Sequence, residues 1–289
     1  MNNILSVAKK IFSIALYSVR QRIMNPRVIC LFILMLAFIW NDLSVVGKLT
    51  DMVGIRINPL VFPFFSSDPV KQLILFASIV FLYSDAPFID KNQPYVILRS
   101  KRIVWALGQV IHIIMFSAVY FSILMVASVL IVLPNATFTT NGWGKVINTL
   151  AQTNAGSQID LQFGVSEKII SLYSPFESFA LCFLLNLGMS SFLGLLIFAI
   201  NLKFGKMIGS VIGGVILFFD LLVLNALPSL CFYFSPLSLS RLSTLDPKGI
   251  STYPSVTYAF VFYTIGILIF SAVIVLSIKR KSIEISSES

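Results

Sequence analysis

The charged residues of this chain are few, and six of them fall between two apolar runs in residues 83–109, YSDAPFIDKNQPYVILRSKRIVWALGQ. Asp85, Asp90, Lys91, Arg99, Lys101 and Arg102 bring both signs into one short passage, and Pro87 and Pro94 set rigid bends there. None of these residues has the spacing of a nucleophile with its base or of a metal-ligand set. The chemistry they offer is ionic contact with another surface. The remaining side chains of chemical interest are isolated in apolar runs: His112, the single histidine, with Asn186, Asp220 and Asn225. An ionisable group in such a setting must face protein or water or lose its charge. The expectation for His112 is a neutral ring hydrogen-bonded to a neighbouring helix. For Asp220 it is a structural or gating role, with Asn225 about a turn further on.

Catalytic signatures do not occur. There is no H-E-x-x-H, no G-x-S-x-G and no phosphate loop, since Gly205-Lys206 lacks the upstream glycine and the following hydroxyl. The chain cannot bind and hydrolyse ATP by the usual means, and it is read as no enzyme and as carrying no cofactor. Cys30, Cys182 and Cys231 are odd in number, widely spaced and in apolar surroundings, so neither a disulfide nor a metal site is expected.

The elements that must position these residues follow from composition. With 57% hydrophobic and 11% charged residues over 289 positions, a soluble domain could not cover itself with polar surface. Mean hydropathy is +0.92, and long uninterrupted apolar runs stand where a barrel would show short alternating segments. The fold class is therefore an all-α membrane protein, a single transmembrane domain over 1–289. Six runs approach the roughly 20 residues a span needs: 28–46, 72–88, 103–133, 176–202, 207–227 and 255–278. With the N-terminus inside, 14 of the 21 Lys and Arg residues fall on the inner segments, which are also the shorter ones. Both termini are thus expected in the cytoplasm. The net charge of +9 reads as a signal of topology and of contact with membrane lipids, and nucleic acid is not an expected partner.

Residues 1–27 are too polar to span but carry an apolar stripe of Ile4, Ala8, Ile11, Phe12, Ala15, Val19 and Ile23, which predicts an interfacial amphipathic helix. The NPLVFPFF segment after the first span reads as an outside connection hugging the interface. Residues 134–175 read as an extracellular loop with one short helix near 165–172, and Asn135-Ala136-Thr137 within it is a glycosylation sequon only in a eukaryotic secretory setting. The fourth and fifth spans carry small residues, Gly209 and Gly213 among them, suited to close helix packing, and residues 203–206 leave room only for a tight turn between them. After Pro228 the chain is too apolar for an ordinary loop and too broken by Pro236, Arg241 and Asp246 to span. A re-entrant hairpin is expected, tolerated where protein satisfies its backbone.

This arrangement, with S-D-A-P-F-I-D at 84–90, R-S at 99–100, Trp105 and L-G-Q at 107–109, resembles the permease subunit of a type-2 ABC exporter, in particular permeases of Gram-positive bacteria. The resemblance covers essentially the whole chain. It implies a separately encoded ABC ATPase as partner, a second permease chain completing a homo- or heterodimer, and a bacterial plasma-membrane location. It also implies that the loop between spans two and three docks on that ATPase, through Asp85, Asp90, Lys91, Arg99, Lys101 and Arg102. His112, Asn186, Asp220 and Asn225 are then candidates for pathway or gating roles. Apolar walls favour an amphipathic peptide or lipid-like substrate, as in antimicrobial-peptide export or immunity. A non-transporting scaffold or sensor subunit, and an ion-coupled carrier using Asp220 and His112, remain as alternatives.

Overall fold

A computed structural model describes residues 2–88, 100–138, 142–153, 156, 161–205, 207–247, 249 and 251–280. The chain is an all-helical membrane protein; among the described residues the only strand-like pairing is an isolated parallel bridge between Ile57 and Ala136. Five helices are long and apolar enough to cross a bilayer: α2 (Pro26–Val53), α5 (Arg102–Val132), α8 (Pro175–Phe204), α9 (Ile208–Asn225) and α11 (Val256–Arg280). Preceding them is α1 (Asn2–Ile23), and shorter pieces connect them: α3 (Phe62–Ser67), α4 (Pro69–Tyr83), α6 (Gly144–Gln152), α7 (Glu167–Leu172) and α10 (Pro236–Leu239).

Their limits follow from local chemistry. Asn25 accepts from the Arg27 amide at 3.0 Å and Pro26 opens α2, while Gly54, at φ 70°, closes it. Asp68 caps α4 by accepting from the amides of Val70 and Lys71, and Ser174 with Glu177 forms a reciprocal capping box on α8.

Two spans differ from the sequence expectation. The first does not stop at 46 but runs to Val53, where Gly54 closes it, and Asp42 within it is buried and neutralised by Lys71 Nζ at 2.6 Å. Instead of filling 72–88, the second is α4, 15 residues ending at Tyr83. At 1.5 Å per residue it rises about 22 Å, short of the roughly 30 Å hydrocarbon layer, so length supports five spans where the sequence suggested six.

The centre of the bundle is α8, buried along most of its length against α4, α5, α9 and α11. Small residues allow this. A Cβ on Gly194 would lie 2.7 Å from Ile113 and 2.9 Å from the Tyr83 ring, and one on Gly209 would lie 2.5 Å from the Ile197 carbonyl oxygen. Neither position accepts a larger residue without moving a helix. Outward faces are apolar throughout, with Ile33, Leu130, Val215, Phe218 and Leu268 all exposed, as lipid contact requires.

Between the spans, the structure moves polar and aromatic segments inward. The NPLVFPFF stretch does not lie along an interface: it forms α3, whose Phe62, Phe64 and Phe65 are buried against Phe38, Trp143 and Phe163. Residues 134–175 contain α7 near the expected position and also α6, which sequence reading left as loop. Trp143 Nε1 donates to the Tyr173 carbonyl at 3.0 Å and closes this segment on itself. Asn135 of the sequon donates to Gly47 O and Asp51 Oδ1, both at 3.0 Å, so its amide serves the fold.

The stripe expected on α1 is divided. Ile14, Ala15, Ser18 and Val19 are buried, Ile14 pressing on Gly108 and Ser18 accepting from Gln109 of α5, whereas Phe12, Leu16 and Ile23 are exposed. One side of the helix packs on the bundle and another faces outward, so the apolar arc serves two surfaces at once.

Candidate functional site

Two polar clusters stand out, at opposite ends of the bundle. At one end, where α8 and α11 receive the connecting segments, the broken stretch after Pro228 folds into three single turns, Ser229–Tyr233, α10 and Leu242–Thr244. Pro228, Pro236 and the lone charges forbid a longer helix, and the freed backbone groups are taken up by side chains from the spans. Gln72 of α4 donates to Leu237 O at 3.1 Å and Ser240 Oγ at 2.8 Å, and Tyr263 of α11 donates to Pro236 O at 2.7 Å.

These contacts surround an ion pair. Arg241 Nη2 lies 2.8 Å from Asp220 Oδ2 and 2.5 Å from Gln72 Oε1, with side chains 2% and 1% exposed for Arg241 and Asp220. Ser235 donates to Asp220 Oδ1 at 2.6 Å, and Ser238 donates to the same oxygen. Asp220 is therefore a fully partnered anion holding α9 to the broken segment. Arg241 and Lys71, which sequence reading counted on the outer side, are buried counter-ions. Cys182 of α8 contacts Ser66 of α3 at 2.9 Å, and Asn186 donates back to Cys182 O at 2.8 Å, while its Oδ1 is buried without a hydrogen-bond partner. Asn225 donates to Leu221 O one turn earlier and is exposed, away from Asp220's partners.

The other cluster lies where α1 turns into α2. There the joint after α4, residues 83–88, is held from three sides. Arg22 of α1 donates to Leu82 O and sits 4.1 Å from the Phe88 ring centroid. Arg27 pairs with Asp85 at 2.6 Å and donates to Ser84 Oγ at 2.9 Å. From α8, Asn201 donates to Ala86 O at 2.7 Å and Ser84 O at 3.3 Å, and its Oδ1 accepts from the Gly209 amide at 2.7 Å. One amide thus ties the ends of α4, α8 and α9 together. Tyr83, fully buried, donates to Ile113 O at 3.0 Å and contacts Ser117 Oγ at 2.7 Å.

His112 belongs to this second cluster, about 15 Å into α5 from Arg102. It is 1% exposed, yet neither ring nitrogen has a hydrogen-bond partner. This corrects the expected hydrogen bond to a neighbouring helix: the ring packs edge-on to Phe88, with centroids 5.2 Å apart, and against Phe116. Beside it is a cavity of about 170 Å³ lined by Ser18, Gln21, Arg22, Met24, Asn25, Pro26, Phe88 and His112.

Of the six charged residues singled out in 83–109, the structure places Asp85 in the Arg27 pair and leaves Lys101 and Arg102 exposed at the start of α5. Asp90, Lys91 and Arg99 lie outside the described residues. His112 and Asp220 are not brought together. Arg22, Arg27, Gln72 and Asn201, which do most of the linking, were missed by sequence reading. Their one available signal was an amide or guanidinium group near a predicted helix end. Comparison with family models, characterised proteins and solved structures returns no match for this chain.

Proposed function

We propose that this protein is the membrane-spanning permease subunit of an ATP-driven exporter of the ABC type, working in a bacterial plasma membrane with both termini cytoplasmic. The observation that carries the reading is the joint at 83–88. A short charged passage leaves α4 and enters α5, and its root is tied to α1, α2, α8 and α9 through Arg22, Arg27 and Asn201. A partner pressing on that passage would move all of these helix ends together, which is what transmission from an external motor requires. The sequence lacks a phosphate loop of its own, so ATP hydrolysis falls to a separate ATPase subunit. Closure of that partner biases the permease only through tighter binding to one of its conformations.

On this reading a second permease chain completes the pathway, and the apolar walls suit an amphipathic peptide or lipid-like cargo, in export or immunity. An ion-coupled carrier built on Asp220 and His112 has less support, because Asp220 is already committed to Arg241 and His112 sits in the other cluster. Purification of the tagged chain from its own membranes tests the proposal. An ABC-type ATPase should accompany it, with hydrolysis stimulated by particular peptides or lipids. Arg99→Glu with Arg102→Glu should abolish co-purification while membrane insertion stays intact, and a normal yield of complex would sink the coupling assignment.

A further inference from the structure

We propose that the cavity beside His112 is a binding site for a phosphate group, supplied in the membrane by an anionic lipid headgroup. Its lining is polar: a space of about 170 Å³ is faced by Ser18, Gln21, Arg22, Asn25 and His112. That is room for several water-sized groups, far more than packing defects provide.

The donor set suits an oxyanion. Arg22 brings a permanent positive charge, already oriented by its bond to Leu82 O and by stacking on Phe88. Gln21 is a half-buried amide and Ser18 a buried hydroxyl. The independent observation is His112. A buried imidazole with both nitrogens unpartnered carries an unmet hydrogen-bonding cost, which a ligand in the adjoining cavity would relieve. Among the described residues that line the cavity there is no carboxylate.

Location favours a lipid as the source over free phosphate. The cavity lies at the turn between α1, whose Phe12, Leu16 and Ile23 are exposed, and a membrane-spanning helix, with Met24 exposed on its lining. Acyl chains have apolar surface to follow while the phosphate enters between Arg22 and His112. The site does not depend on any partner ATPase, so its test is separate from that of the transport reading.

The test uses the full chain purified in a neutral detergent and titrated with phosphatidylglycerol, phosphatidylcholine or inorganic phosphate. Bound lipid is read by native mass spectrometry, and the midpoint of thermal unfolding is followed in parallel. Phosphatidylglycerol should bind at least tenfold more tightly than phosphatidylcholine. Gln21→Glu, which adds a negative charge to the lining at a half-buried position, should cut that affinity at least tenfold without changing the unfolding midpoint of the lipid-free protein. Arg22→Gln and His112→Leu should each reduce the preference to within about twofold. Inorganic phosphate that binds and competes, with no preference between the lipids, would keep the phosphate chemistry and overturn the lipid source. Equal binding of both lipids with no phosphate effect would overturn the site, and so would an unaltered preference in Gln21→Glu.

Discussion

The Asp220–Arg241 cluster and the Arg22–Arg27–His112 cluster are built from similar side chains but finished differently. In the first, the charge is matched: Asp220 receives Arg241, Ser235 and Ser238, all of them nearly inaccessible, although Arg241 Nε and Nη1 have no hydrogen-bond partner of their own. In the second, Arg27 and Asp85 are 40% and 44% exposed, His112 has no partner, and a cavity remains. A closed network holds one arrangement, because any rearrangement must leave a charge buried and unpaired. An open one lets helix ends shift and admits another molecule. The contrast separates a region that keeps the fold in register from a region able to respond to something outside it.

The strongest test removes one side of the closed network. Asp220→Ala leaves Arg241 buried without its counter-ion and should cost about 3–5 kcal/mol, read as a large drop in the thermal midpoint and loss of monodispersity in detergent. Replacing both members, as Asp220→Leu with Arg241→Met, should recover most of the loss, because a well-packed apolar pair carries no desolvation cost. If the single variant unfolds like the unaltered chain, the cluster does not anchor the broken segment. A smaller effect is expected from Asn201→Ala in the second region. It removes three hydrogen bonds, to Ser84 O, Ala86 O and the Gly209 amide, each worth about 0.5–1.5 kcal/mol. The thermal midpoint should fall less than for Asp220→Ala, and amide exchange should rise selectively around 84–86 and 207–209. Exchange rising across the whole bundle would mean that the joint is no distinct unit.

The sequence made the membrane class legible because apolar length and charge density are one-dimensional properties. Four of the five long helices lie within a few residues of the apolar runs, for the same reason. Legibility failed where a polar residue was satisfied by a distant one. Lys71 and Asp42 are remote in sequence yet 2.6 Å apart, so two charges that seemed to belong at span ends neutralise each other inside the protein. Gln72 and Arg241 are likewise joined only by the fold. The NPLVFPFF segment misled because prolines and aromatics fit both an interfacial loop and a buried plug, and only Phe38, Trp143 and Phe163 decide between them. The candidate coupling passage was visible as a charge anomaly, but Arg22 and Asn201, which fix its root, carry no local signature.

The smallest expected change in stability belongs to the pair at the surface of the open region, and it distinguishes the two regions best. Because Arg27 and Asp85 are both well exposed, their ion pair contributes at most about 1 kcal/mol, although Arg27 also donates to Ser84 Oγ and lies 4.0 Å from the Phe81 ring centroid. Asp85→Asn should therefore leave the thermal midpoint within a few degrees of the unaltered chain. If the 83–88 joint transmits force, the same substitution should still lower substrate-stimulated ATP hydrolysis several-fold in the assembled complex, since it loosens the joint without unfolding it. Salt should act in the same sense, weakening this exposed pair as ionic strength rises while sparing the buried Asp220–Arg241 pair. A variant whose stability and stimulated hydrolysis are both unchanged would make the joint passive. One that loses stability as severely as Asp220→Ala would erase the difference between a sealed cluster and an open one.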